Sequence, residues 1–186
     1  MDVTIDLEGL GDDELLRLFG EIPTELKRRR LVRSERKNPT GEIAEALVAR
    51  ALQTDLLPGR DTGHDLVDPA TESRIQVKGC RVVDSEARTS AQQFGDIDLL
   101  DDDRFDELVG VVFDKHYGVT EAWRMPRAEV QRLARTVRGK ARLNIDVVRR
   151  AFREEGSAIT AFEVPPHAAD VRGDDGRAAP RAERTP

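Results

Sequence analysis

The spacing of apolar residues divides the chain into short segments. Ile43, Leu47, Val48 and Ala51 recur at helical intervals, so residues 41–54 are predicted to form a helix with one apolar face. Residues 12–19 start with acids and continue into Leu15, Leu16, Leu18 and Phe19, which predicts a shorter helix that Gly20 and Pro23 end. Thr24 can cap a strongly basic helix from residue 25 to about residue 36. Asn38-Pro39 is a boundary, because the residue before a proline leaves the helical region and proline suits a first helical turn. Residues 108–113 are almost continuously apolar, as expected of a strand buried on both faces. Residues 119–125 alternate, as expected of an edge strand with one wet face. Pro126 opens a helix through about residue 135, Asn144 or Asp146 opens another through residue 155, and residues 159–164 read as a last strand.

Between the apolar helix and the apolar strand lies a predicted hairpin, residues 63–81, with Asp68-Pro69-Ala70-Thr71 as its turn. Strand residues two apart share a face, so Gln76 and Lys78 point the same way and a paired Asp65 can reach them. Residues 84–104 are polar and read as a long surface connection. From residue 165 to residue 186 the chain has almost no apolar bulk, cannot offset its ordering entropy, and is expected to be disordered. The order of elements predicts an α/β fold, a mixed central sheet flanked by helices. The expected organisation is a helical segment over 1–38, an α/β domain over 39–164 and the tail.

Composition narrows the class. Aromatic residues are only 4% of the 186, so the core is expected to be Val, Leu, Ile and Ala. A single cysteine, Cys80, forbids an intrachain disulfide, fits a reducing compartment, and with three scattered histidines argues against structural zinc. The chain shows no signal-peptide pattern and no apolar run of membrane-spanning length, so a cytoplasmic protein without a membrane role is expected. The net charge of −6 hides segregation. In residues 124–153, ten basic side chains face only Glu129 and Asp146. Such segregation either builds a local positive surface or is consumed by pairing with acids elsewhere; the sequence leaves both open. Most basic residues are arginine, so a lysine between apolar neighbours, Lys78, suggests that an ammonium group is wanted there.

A helix carrying Gly41-Glu42-x-x-Glu45, then Asp65, a gap of ten residues, and Gln76-x-Lys78 in a strand resembles the PD-(D/E)XK nuclease superfamily in a Gln-x-Lys variant. The resemblance spans roughly residues 41–126. It implies a restriction-endonuclease-like fold and Mg²⁺- or Mn²⁺-dependent hydrolysis of DNA phosphodiester bonds, related to restriction or phage defence. The catalytic set it implies is Glu45, Asp65, Gln76 and Lys78. Asp65, Gln76, Glu45 and the Val77 carbonyl would be metal ligands, which suits an ion that prefers oxygen donors. Glu42, one turn away, is the alternative helix carboxylate. The family's usual proline before the aspartate is absent; His64 stands there. Gln76 carries one negative charge fewer than the usual acid, which leaves a second reading: a nuclease-like module that binds nucleic acid or a partner protein without cutting. Arg74 and Arg81 flank the site and can contact phosphates; Ser90, Gln92 and Gln93 have donors and acceptors suited to base edges. Double-strand cleavage would want two sites, hence a homodimer or a partner complex.

Overall fold

The computed structural model describes residues 7–34, 38–57, 63–83, 92–97, 104–137 and 140–165. Everything in it is arranged around the apolar run, which is the strand β4 (Glu107–Phe113), buried from Leu108 onward. Its helical and extended predecessors are α1 (Asp12–Arg28), α2 (Thr40–Ala51), β1 (Leu66–Val67), β2 (Arg74–Arg81) and β3 (Gln93–Ile97). After it come β5 (Val119–Pro126), α3 (Arg127–Leu133), β6 (Arg135–Val137), β7 (Lys140–Asn144), α4 (Ile145–Phe152) and β8 (Thr160–Ala161).

β4 sits at the centre of a five-stranded sheet in the order β1-β2-β4-β5-β8, parallel to β2 and antiparallel to β5. The sheet is therefore mixed, and with four helices among the described residues the protein is of mixed α/β type. Alternate residues of β4 serve two cores, as strand geometry requires. Val109, Val111 and Phe113 pack under α2 with Ile43, Ala44, Leu47 and Val48. Leu108 and Val112 face the opposite layer, built by Phe94, Ile97, Leu143, Ile145 and Val148. Two glycines permit the close approach of these layers. A Cβ at Gly79 would lie 2.6 Å from the carbonyl oxygen of Thr40, so the start of α2 rests directly on β2. A Cβ at Gly110 would lie 2.6 Å from the ring of Phe94.

Several expectations are corrected. Gly20 and Pro23 do not end the first helix: α1 runs through both to Arg28, and no separate basic helix follows among the described residues. α1 buries none of its residues, so the carbonyl that Pro23 leaves without a donor can turn to solvent. The Glu14 carboxylate accepts from the Gly11 N–H at 3.0 Å, which secures its start. The polar connection contains a strand: Phe94 and Ile97 of β3 are buried. The expected helix from Pro126 stops at Leu133, and β6 and β7 follow, pairing with each other and with β3 in a second, three-stranded antiparallel sheet. Asn144, not Asp146, caps α4: its side-chain oxygen accepts from the N–H groups of Asp146 and Val147. The last strand is reduced to two residues paired with β5. The expected tail from residue 166 on lies outside the described residues.

Candidate functional site

β1 is short, and this creates the site. It pairs with β2 only at Ile75 and Arg74, so β2 becomes a free edge from Gln76 onward. A cleft of about 310 Å³ opens at this notch, lined among others by Glu45, Asp65, Gln76 and Lys78. The chain brings Asp65 to the notch through backbone bonds on both sides: its N–H donates to the Ile75 carbonyl at 2.8 Å and its carbonyl accepts from Leu57 at 2.9 Å. Its carboxylate then takes over where β1 ends, accepting the Val77 N–H at 2.7 Å. A strand residue presents its N–H and C=O on the same edge, so the Val77 carbonyl faces the same notch.

Gln76 is buried. Its side-chain N–H₂ donates to the Gly63 carbonyl at 3.2 Å, but its Oε1 has no hydrogen-bond partner. A buried amide oxygen without a donor is costly and asks for an electron-pair acceptor. Lys78 lines the same cleft and has no ion-pair partner among the described residues.

Glu45 arrives from α2, whose apolar face fixes its rotation over β2 and β4. The two glutamates of that helix divide the work. Glu42 is consumed structurally: it accepts from the N–H groups of Arg33 and Ser34 at 2.6 and 2.9 Å and from the Ser34 hydroxyl at 2.6 Å. Burial alone would raise its pKa, but these donors hold it below the usual value. They also fix the segment after α1, so that the Arg33 guanidinium pairs with Glu45. Glu45 nonetheless stays proton-hungry. Burial, then repulsion from Asp65, push its pKa up to about 7 against the pull of Arg33. Burial likewise raises the Asp65 carboxyl, against the Val77 N–H and the charges of Lys78 and Arg33. Of the two helix carboxylates, Glu45 is therefore the one available to the cleft.

The donor set fits a hard divalent cation. Among the described residues no group of three or more His, Cys, Asp or Glu side chains is arranged for a metal ion. What the notch offers is two carboxylates whose pKa burial raises, an amide oxygen without a donor and a backbone carbonyl. Mg²⁺ accepts such mixed oxygen donors and keeps several waters. A cation there would relieve the repulsion between Glu45 and Asp65 and satisfy Gln76 at once.

The flanking residues divide differently from expectation. Arg74 and Arg81 do not line the cleft. Arg74 forms a two-pronged pair with Asp106, whose carboxyl is pulled down to about 2 by that guanidinium. Arg81 donates to the Lys115 carbonyl at 2.7 Å and stacks over the Tyr117 ring, 4.6 Å from its centre. Their rigid partners lie within the chain, because each strand end presents a turn carbonyl or an acid at arginine's reach. Gln93 belongs to the second sheet and a separate depression, and the Gln92 carbonyl accepts from Ile145. Ser90 lies outside the described residues. Arg33 was not among the expected site residues; it comes from a loop whose approach is set by the Glu42–Ser34 bonds, and no spacing in the sequence encodes that.

Internal pairing accounts for part of the segregated charge. Arg124 pairs with Asp68 and Glu107, Arg132 with Glu129, and Arg149 with Glu121 and Asp146. No described helix is long and apolar enough to cross a membrane. Comparison with protein-family models found no match, and comparison with curated proteins found none.

Proposed function

We propose that the protein is a divalent-metal-dependent endonuclease of the PD-(D/E)XK type, in its Gln-x-Lys form, acting on DNA. The observation that carries this reading is the meeting of Glu45, Asp65, Gln76 and Lys78 at one notch of a mixed sheet, with the Gln76 oxygen buried and unpartnered. A helix packed on a mixed sheet, with the acid just before one strand of a pair and the lysine on the other, supports the reading.

Glu45, Asp65, Gln76 and the Val77 carbonyl would hold Mg²⁺ or Mn²⁺. When bound, the ion supplies Lewis-acid polarisation of a phosphate oxygen and lowers the pKa of a water. The residues of the chain do the rest. Lys78 places an ammonium at the cleft, where it holds the scissile phosphate and offsets charge developing on it. Glu45, on the helix side of the cleft, would hold the ion or orient a water beside it. Arg33, at the cleft wall, offers a second cation to the DNA backbone. Two copies of the chain, or a partner complex, would be needed to cut both strands.

One observation favours a non-cutting module instead. Arg33 pairs with Glu45, Lys78 lines the same cleft as Asp65, and Gln76 adds no negative charge, so the formal charges of the cleft balance without an ion. Incubation of plasmid DNA with Mg²⁺ or Mn²⁺ decides. Nicking or linearisation by the wild type, and its fall by roughly 100-fold or more in Lys78→Ala, is the expected result. DNA binding without metal-dependent cleavage would install the module reading. Equal behaviour of wild type and Lys78→Ala would remove the nuclease reading.

A further inference from the structure

Three arginines with no carboxylate partner among the described residues gather in one place; one of them, Arg150, donates its Nε to the Asp146 carbonyl at 3.3 Å. Arg135 on β6 and Arg142 on β7 are direct cross-strand partners, so their side chains leave the same face of the second sheet. With Arg150 of α4 they line a depression of about 480 Å³ in which, among the described residues, the one carboxylate belongs to Asp146. That carboxylate is already engaged by Arg149 at 2.8 Å. Like charges placed directly opposite in an antiparallel pair destabilise it. The Nε of Arg142 is buried and has no hydrogen-bond partner. A sheet that sets two cations side by side and leaves a guanidinium N–H unmet is short of an anion. Three guanidinium forks suit the tetrahedral oxygens of phosphate better than a single carboxylate.

We infer that Arg135, Arg142 and Arg150 form a binding site for a phosphate group, separate from the cleft at Asp65. The inference does not rest on the nuclease reading. The phosphate can come from a nucleic-acid backbone or from a free nucleotide, and the guanidinium chemistry is the same for both.

The test uses the full chain in EDTA, so that cleavage plays no part. Binding of a fluorescein-labelled 16-base-pair duplex is followed by anisotropy across a salt series, and ATP and inorganic phosphate are tested by thermal shift. For a backbone site, Arg135→Gln and Arg142→Gln each weaken duplex binding about tenfold and lower the salt slope by about one. For a nucleotide site, the duplex result is unchanged and the ATP-induced rise in melting temperature is lost in both variants. Either outcome supports the site. Arg135 is exposed, so its variant keeps the fold, and without anions it melts at or above the wild-type temperature because the facing charges are relieved. Wild-type binding of duplex and ATP in both variants, or a lower melting temperature of anion-free Arg135→Gln, overturns the inference.

Discussion

Asp65 and Asp68 stand at the two ends of β1, and the chain treats them in opposite ways. Asp68 is buried and Asp65 half-buried. Asp68 is 3% exposed, and burial alone would raise its pKa. Instead the Ala70 N–H at 2.8 Å and the Arg124 guanidinium at 2.6 Å hold it below its usual value. Arg124 in turn is shared with Glu107 and Thr71, so every charge in that group has a partner. Asp65 receives one backbone N–H, and burial wins. Its charge in turn pushes up the pKa of Glu45 in the same cleft. A buried acid with a matched cation is an internal brace. A half-buried acid that shares a cleft with another acid, an amide oxygen without a donor and a lysine with no ion pair among the described residues is a place where ligand charge can find a partner.

The largest expected effects come from exchanging the two roles. Asp65→Asn keeps an oxygen for the Val77 N–H, so its melting temperature should hold, while metal-dependent cleavage falls roughly 100-fold or more. Asp68→Asn should do the reverse. It leaves Arg124 partly uncompensated in a buried position and costs about 3 kcal/mol of stability, with cleavage retained at low temperature. Denaturant melts and plasmid assays on the pair check this. Two variants that lose the same property would erase the distinction between brace and site.

Gly79→Ala tests the backbone contact on which the site depends. Its Cβ would meet the Thr40 carbonyl at 2.6 Å and the Ala44 Cβ at 3.0 Å, and neither belongs to a flexible side-chain end. α2 must lift from β2, at a cost of about 1–3 kcal/mol. Glu45 moves with it, so the cleft should lose function in excess of the stability loss. A variant that loses stability and keeps full activity would show that Glu45 has no part in the chemistry.

This dependence explains what the sequence disclosed. The hairpin group of Asp65, Gln76 and Lys78 was legible because strand alternation and one short turn fix it locally. β4 was legible because six consecutive buried residues leave an unbroken apolar run. Glu45 was nameable, but its preference over Glu42 was not, because that depends on a loop that Glu42 itself ties down. The second sheet escaped for another reason. β3 and β7 each bury only two residues, too few to mark a strand against polar neighbours. Pro23 and Gly20 misled because local breaking signals assume a helix interior that must be dry, and α1 buries none of its residues fully.

A smaller effect reports on Glu45 alone. Its carboxyl is pushed from 4.5 to about 7, so the folded chain holds a proton that the unfolded chain has already released. The native state then loses stability as pH rises from about 4.5 to about 7, and stays lower above that. Glu45→Gln removes the titration. It should match the wild type at pH 4 and exceed it at pH 8 by on the order of 1–3 kcal/mol. Urea midpoints of both proteins at the two pH values give the difference directly. A difference that does not change with pH would mean that Arg33 fully neutralises Glu45, and the contrast with Asp68 would narrow.

Gln76→Glu gives the smallest change and the most specific one, because its sign depends on an ion. Without metal the new carboxylate joins Asp65 and Glu45 in a buried notch and gives up the donor that now reaches the Gly63 carbonyl at 3.2 Å. Both losses lower the melting temperature at pH 8. With Mn²⁺ present the added charge becomes a ligand, and affinity should rise about tenfold, since ligand charge sets divalent-ion affinity. Melting temperature against Mn²⁺ concentration separates the two states, because a ligand that binds only the native form stabilises it by an amount that grows with the logarithm of its concentration above Kd. If the variant is destabilised and Mn²⁺ restores nothing, the unmet Gln76 oxygen is a packing defect rather than a coordination position, and Asp65 becomes a second, poorer brace.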